Sequence, residues 1–358
     1  MKKNNFYLQR YKNLKVLITG STGFKGAWLS QWLYLLGSKV VGVGLKPEKG
    51  SILFDALHLN KKIKQYYFDI KNFNKINNII KKEKPDIIFH LAAQSIVSTS
   101  FKKPIETFGT NIIGSTNILE STRKNKIPNL VYITSDKCYL NLGKKNSFKE
   151  SDILGGLDNY SSSKASAELV FSSYFHSYYK NKNRLSIGSA RAGNVIGGGD
   201  FKQDRVVPDV IKSLKSKKNI ILRNPSATRP WQHVLEPLSG YLSLGQKLID
   251  KELNSNIAPN WNFGPHRKNC KKVIEIVKLL VKDWQENNVK MIHKKNKKFH
   301  ESKLLSLNIY KAKRELKWQP RLDLHETIKF TVDWYKNFFS GDDVDDITNY
   351  QIEYFIDK

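Results

Sequence analysis

Cysteine is nearly missing from this chain, which has only Cys138 and Cys270 among 358 residues. That scarcity excludes a disulfide-built scaffold and fits a reducing compartment, and neither cysteine clusters with histidine as a zinc or other metal site requires. Long hydrophobic runs are lacking too. No apolar stretch approaches the roughly 20 residues that cross a bilayer, and the opening MKKNNFYLQRYKN carries charge but no apolar secretory segment. A soluble, cytoplasmic protein with no membrane partner is therefore expected. Acidic residues are scarce, 32 Asp and Glu against 61 Lys and Arg, for a formal charge of +29. Such an excess can mark a binder of nucleic acid, anionic membrane or anionic small molecules. Here it comes mostly from lysine scattered among Asn and Ile, as in KKIKQ, NKINNIIKKEK and KKNKK, without an arginine stripe or a nucleic-acid motif. A solvated surface is the first reading, so nucleic acid is not an expected partner; a non-enzymatic RNA-binding protein is the rival. Internal repeats and low-complexity linkers are also missing.

Apolar material is plentiful, 40% of residues with 11% aromatic, enough to bury a large core in one domain or two. In the first half, apolar β-rich runs alternate with helical ones, the pattern of a parallel sheet covered on both faces. Strands are expected at KVLITG (15–20), KVVGVGL (39–45), QYYFDI (65–70), DIIFHLAA (86–93), NLVYITS (129–135) and LSIGSA (185–190). Helices are expected at 24–37, 72–82, 105–125 and 160–181. Beyond residue 190 the alternation weakens, and GNVIGGGDF, RNPSATRPW and NFGP read as long loops. The expected fold is α/β, a doubly wound parallel sheet of Rossmann type with a smaller mixed C-terminal domain. Residues 1–190 are expected to form the nucleotide-binding domain, with segments near 231–264 returning to it, and 191–230 with 265–358 the substrate domain.

TGSTGFKGAWL stands where the first strand gives way to the first helix. Gly20, Gly23 and Gly26 permit a tight turn, close approach of backbone to a pyrophosphate and packing of the helix on the strand. The spacing is GxxGxxG rather than GxGxxG, and glycines also end strands for structural reasons. The flanking strand and helix favour a dinucleotide site made of Gly20, Thr22, Gly23, Phe24, Lys25 and Gly26. After the second strand, the acid that binds the ribose 2′-hydroxyl of NAD is missing or displaced. Leu45, Lys46, Pro47 and Glu48 follow instead, and Lys46 suits a 2′-phosphate, so residue chemistry leaves NAD and NADP both open. Asp69, with Ile70, ends the third strand, either as an adenine contact or as the N-cap of the next helix. Leu91, Ala92 and Ala93 of HLAAQ let a cofactor lie close to the backbone. His90 reads as a satisfied strand-end histidine, and Asn111 as a residue that fixes a group near the site or is merely structural.

NYSSSKASAE sets Tyr160 and Lys164 four residues apart, on one face of a helix. Alone, that pair reads equally as helix surface. Together with TGSTGFKG, HLAAQS and ITSDKCY, however, YSSSK resembles the extended short-chain dehydrogenase/reductase family that acts on nucleotide sugars. TGFKGAWLS, TSDKCY, RAGNVIGGGD and RPWQHVLEP are similar to its CDP-glucose 4,6-dehydratase branch, over residues 13 to 265 with a looser match at QIEYF.

The resemblance implies a NAD-dependent lyase of deoxysugar and polysaccharide biosynthesis. Carbon 4 of the hexose is oxidised, water is eliminated across carbons 5 and 6, and hydride returns to carbon 6. In that chemistry Tyr160 takes the 4-hydroxyl proton, with Ser135 hydrogen-bonded to the same hydroxyl. A phenol, with its reference pKa of about 10, needs help; Lys164 and a cationic nicotinamide are expected to bring it towards neutrality. Asp136 and Lys137 stand where related dTDP-sugar enzymes carry Asp-Glu, and provide an acid for the departing 6-hydroxyl and a base for the carbon-5 proton. Their division of labour stays open, and Cys138 beside them reads as a small buried residue. Substrate contacts are expected from Gln94, Ser135, Asn194, Arg205, Arg229 and Trp231, with Arg229 offering a forked donor set to phosphate. Gly197, Gly198 and Gly199 form an anion-facing nest or a plain loop. CDP-D-glucose rests on resemblance alone; the alternatives are UDP- or other nucleotide-sugar dehydratases and epimerases. A homodimer through helices near 105–125 and 160–181 is implied as well.

Overall fold

The computed structural model describes residues 9–47, 52–143, 146–180, 186–266, 269–286, 288–294 and 305–358. In chain order the elements that build the sheet and its covers are β1 (Lys15–Thr19), α1 (Phe24–Leu35), β2 (Lys39–Gly44), β3 (Lys64–Tyr67) and α2 (Phe73–Glu83). They continue with β4 (Ile87–His90), α3 (Pro104–Phe108), α4 (Ser115–Lys124), β5 (Leu130–Ile133), α5 (Asn159–Tyr174) and β6 (Ile187–Ala192). Beyond these come α6 (Val206–Lys215), α7 (Leu235–Ile249), β7 (Asn260–Phe263), α8 (Val273–Trp284), α9 (Leu324–Ser340) and α10 (Val344–Asp357).

The seven strands form one sheet in the order β7-β6-β5-β4-β1-β2-β3, with every adjacent pair parallel. This is the doubly wound fold that the alternation predicts. A parallel sheet covered on both faces needs strands apolar on both sides. Val16, Leu17 and Ile18 of β1 and Ile87, Ile88 and Phe89 of β4 are accordingly fully buried. The order reverses between β1 and β4, and the crevice at their carboxyl ends is where such sheets bind ligands. Three two-stranded ribbons, among them Val195–Ile196 with Gln232–His233 and Thr228–Pro230 with Cys270–Lys272, build the irregular second half. No described helix is long and apolar enough to cross a membrane.

Several boundaries differ from those read in the sequence. The fourth strand stops at His90 because Leu91 to Ala93 leave the sheet, and the sixth runs on through Arg191 and Ala192; Leu185 lies outside the described residues, as does Glu48. The helix expected over 105–125 is broken into α3, a π-helical turn at Gly109–Gly114 and α4. Asn111 lies in that turn, buried, and holds both backbone polar groups of Gln94 as well as Ser163 Oγ, at 2.8 to 3.0 Å. It clamps the loop after β4 to the helix that carries Tyr160.

Candidate active site

The glycine-rich turn is made for close approach. Gly20 sits at φ +76°, and a Cβ there would lie 2.8 Å from the Ala92 backbone nitrogen. At Gly26 a Cβ would meet Gly20 O at 2.0 Å, so only glycine lets α1 pack down on the turn. Gly23 is the N-cap of α1 without a side-chain cap, which leaves the first-turn N–H groups facing the crevice. Thr22 donates to the Leu45 carbonyl at 3.1 Å and so ties the turn to the end of β2. Phe24 packs half-buried against the core. Leu91, Ala92 and Ala93 line the same crevice, half-buried, beyond β4.

Asp69 is not a helix cap. Asn72 caps α2 by accepting from Lys75 N, whereas Asp69 accepts from Lys71 N at 2.9 Å and pairs with Lys71 Nζ at 3.3 Å. Ile70 is buried against Gly114. His90 is a satisfied core residue: its ring nitrogens meet Thr19 Oγ1 at 2.7 Å and Ser115 Oγ at 2.9 Å. Burial and the Lys164 charge hold it neutral, its pKa down at about 3.

On the other side of the crevice, α5 begins at Asp158, which caps Ser161 N, and presents Tyr160 and Lys164 on one buried face. The Lys164 ammonium stands 6.0 Å from the Tyr160 ring centroid. Burial, eased by a hydrogen bond to Ser135, pushes the Tyr160 phenol up to about 12. That balance comes from protein groups alone, whereas the expected pull towards neutrality also counts on the positive charge of a nicotinamide. Lys164 is itself lowered to about 8 by burial, against the opposing influence of Cys138 and Glu168.

At the end of β5, Ser135 begins a single 3-10 turn over Asp136–Cys138. Its hydroxyl donates to Asp136 Oδ1 at 3.0 Å and accepts from Lys137 N at 3.2 Å. Asp136 is 2% exposed, and its Oδ2 has no hydrogen-bond partner among the described residues. Burial raises its pKa, partly offset by Lys137, Ser135, Arg229 and Lys25. A buried carboxyl with a raised pKa and one oxygen unpartnered is placed to serve as an acid. Lys137 is half-buried beside it, and Cys138 is buried, its thiol pushed up by burial. Lys25 reaches from the glycine-rich turn into this pocket and donates to Tyr241 OH at 3.3 Å. Burial and the charges of Lys164 and Arg205 bring Lys25 down to about 8.

Beneath the site lies an ion pair that sequence reasoning missed. Glu168, one turn beyond Lys164, accepts from Arg191 Nη2 at 2.7 Å and from Ser189 Oγ at 3.1 Å, and also binds the Thr134 hydroxyl. Arg191 donates in turn to Tyr139 OH and to the Glu150 carbonyl. The network fastens α5 to both flanks of the Ser135 turn. A charged pair split between residues 168 and 191 leaves no local pattern to read.

The expected substrate residues fare unevenly. Arg229 is buried close enough for its charge to act on Asp136, and Asn194 is half-buried just beyond β6. Arg205 spans the cleft, bonded to Asp200 Oδ2 at 2.6 Å and Ser95 Oγ at 3.0 Å. The Gln94 amide bonds to Ile96 in its own loop and to Thr107 of α3. Trp231 is buried with its indole N–H on the Lys271 carbonyl. The Gly197 to Gly199 run is a buried turn, where a Cβ at Gly198 would strike the Trp334 ring at 2.0 Å.

The sequence profile of the family described as GDP-mannose 4,6 dehydratase matches residues 17–331. The CDP-glucose 4,6-dehydratase of Salmonella typhimurium is 40% identical over 339 residues, 93% of this chain and 94% of that protein. Among solved structures, epimerase Mth375 of Methanothermobacter thermautotrophicus aligns with a TM-score of 0.80 at 24% identity, covering 94% of this chain and 96% of that one. The dTDP-glucose 4,6-dehydratase of Bacillus anthracis, solved in complex with NAD, aligns at 0.75 and 22% identity over 90% and 97%. At such identities the two structures speak for the shared fold.

Proposed function

The chain belongs to the GDP-mannose 4,6-dehydratase family, and from that premise we propose that it converts CDP-D-glucose to CDP-4-dehydro-6-deoxy-D-glucose. The observation that carries this reading is the meeting of Tyr160 and Lys164 with a buried, half-unpartnered Asp136 in one pocket. A redox pair alone would serve an epimerase, whereas loss of water also needs a proton donor for the leaving hydroxyl.

The cradle fits NAD. The tight approaches at Gly20 and Gly26 and the uncapped start of α1 suit a pyrophosphate, with Thr22, Phe24 and Lys25 in the same turn. Asp69, Ile70, Leu91, Ala92 and Ala93 would flank the adenosine side, and Lys164 the nicotinamide ribose. When bound, NAD supplies a hydride acceptor and a positive charge beside the phenol. The protein's own groups then divide the proton transfers. Tyr160, hydrogen-bonded to Ser135, receives the 4-hydroxyl proton, and the Lys164 ammonium stabilises the phenolate. Lys137, acting as the free amine, would take the carbon-5 proton, made acidic by the neighbouring ketone, while Asp136 gives its proton to the 6-hydroxyl as the carbon–oxygen bond breaks. Asn194, Arg205 and Arg229 would hold the diphosphate.

Two wider features complete the reading. Ile105, Ile113 and Leu169 project apolar side chains, 87%, 57% and 59% exposed, from the packed set α3, the π-helical turn and α5; a second copy of the chain is the proposed cover. The two free cysteines agree with a cytoplasmic home.

CDP-, UDP-, GDP- and dTDP-glucose, each offered to the purified protein with NAD or NADP, should separate the readings. Formation of a 4-keto-6-deoxy product from CDP-glucose with NAD is expected. Absence of that product from every nucleotide would sink the dehydratase reading, and preference for another base would reassign the substrate.

A further inference from the structure

Gly193 lies between β6 and the short strand Val195–Ile196, half-buried at the edge of the cleft. Its backbone does not demand glycine, since it is not among the positive-φ glycines. No turn requires it. What the missing side chain leaves is space: a Cβ at Gly193 would stand 3.0 Å from Asp136 Oδ2 and 3.0 Å from Pro230 Cγ. Asp136 Oδ2 is the oxygen with no hydrogen-bond partner among the described residues, on a side chain only 2% exposed. A buried polar atom left without a partner is costly unless something else supplies one. Here the unpartnered oxygen stands close to a backbone position that has no side chain.

We infer that Gly193 is a specificity-determining position that keeps room at Asp136 Oδ2 for the hydroxyl leaving carbon 6 of the hexose. The inference rests on the dehydratase reading above. A hydroxyl oxygen accepting a proton from Oδ2 must come within about 2.5 to 3.0 Å of it. A methyl group already at contact distance would displace either the carboxyl or the hydroxyl. In the step itself the carbon-5 proton leaves to Lys137, its electron pair becomes the carbon 5–carbon 6 double bond, and the carbon 6–oxygen pair departs with the oxygen. Asp136 completes the water by giving up its proton. Only the last transfer needs the space at Gly193. Oxidation at carbon 4, which belongs to Tyr160 and Lys164, does not.

The test is Gly193→Ala, with Gly193→Ser as a second variant that fills the same space with a polar group. Both should keep single-turnover oxidation of CDP-glucose within about threefold of wild type, while dehydration falls by about 100-fold, the usual scale of a misplaced general acid, and the 4-ketohexose accumulates. A 6-deoxy-6-fluoro analogue of CDP-glucose gives a readout that a merely structural defect would not move, because fluoride leaves without needing the proton. Both variants should eliminate fluoride within about threefold of wild type. Wild-type dehydration by Gly193→Ala overturns the inference, as does an equal loss of oxidation and of both eliminations. If the wild-type protein itself dehydrates no nucleotide hexose, the parent reading has failed and takes this one with it.

Discussion

Lys137 is half-buried between the buried Asp136 carboxyl, its pKa raised, and a buried thiol, and its proposed role as carbon-5 base can be checked directly. In Lys137→Ala, sugar oxidation should continue while product formation falls by about 1,000-fold, leaving reduced cofactor and 4-ketohexose visible by rapid quench and mass spectrometry. Undiminished dehydration would move the base elsewhere. The expectation for these side chains comes from the family resemblance that SDKCY and YSSSK carry. Their electrostatic state was not legible. The rise of Tyr160 to about 12 comes from burial, which depends on packing from the distant chain. The internal partners of Gln94 and Trp231 were not legible either: a polar head or a ring in a motif says nothing of whether its donors are engaged within the protein.

Among elements, α7 carries a charge with no catalytic part. Glu236, in its first turn, accepts from the backbone N–H groups of Arg321 and Leu322 through Oε1, at 2.9 and 2.6 Å. Burial raises its pKa to about 7 from 4.5. The folded protein thus binds this proton more tightly than the unfolded chain does. That contribution to stability is fully present below pH 4.5 and is lost as pH rises through about 7. Glu236→Gln keeps the Oε1 acceptor without the buried charge. It should therefore stabilise by about 2 kcal/mol at pH 8, with no gain near pH 4.5. Melting temperatures across that range would show it, and a gain independent of pH would count against it. The helices also mark where pattern reading stops. Apolar periodicity found the strands because they are buried on both sides, yet nothing in GTNIIG declares a π-helical turn. That turn is set by Asn111 holding the Gln94 backbone.

For the whole molecule, the exposed Ile105, Ile113 and Leu169 are the side chains proposed to meet a second copy. Leu169→Asp should shift the protein from dimer to monomer in light scattering, with the isolated subunit still folded by circular dichroism. A monomeric wild-type protein would remove that interface. The parallel sheet itself imposes an order of events on synthesis. Its last strand, β7, pairs with β6 only after more than sixty intervening residues have been made. Until then β6, whose residues are all buried in the folded protein, is a bare edge of the kind that invites pairing with other chains. Chain emerging from the ribosome is thus most exposed to aggregation between the completion of Ala192 and the arrival of Phe263. The lysines scattered along the chain would keep such half-made molecules apart by mutual repulsion during that interval.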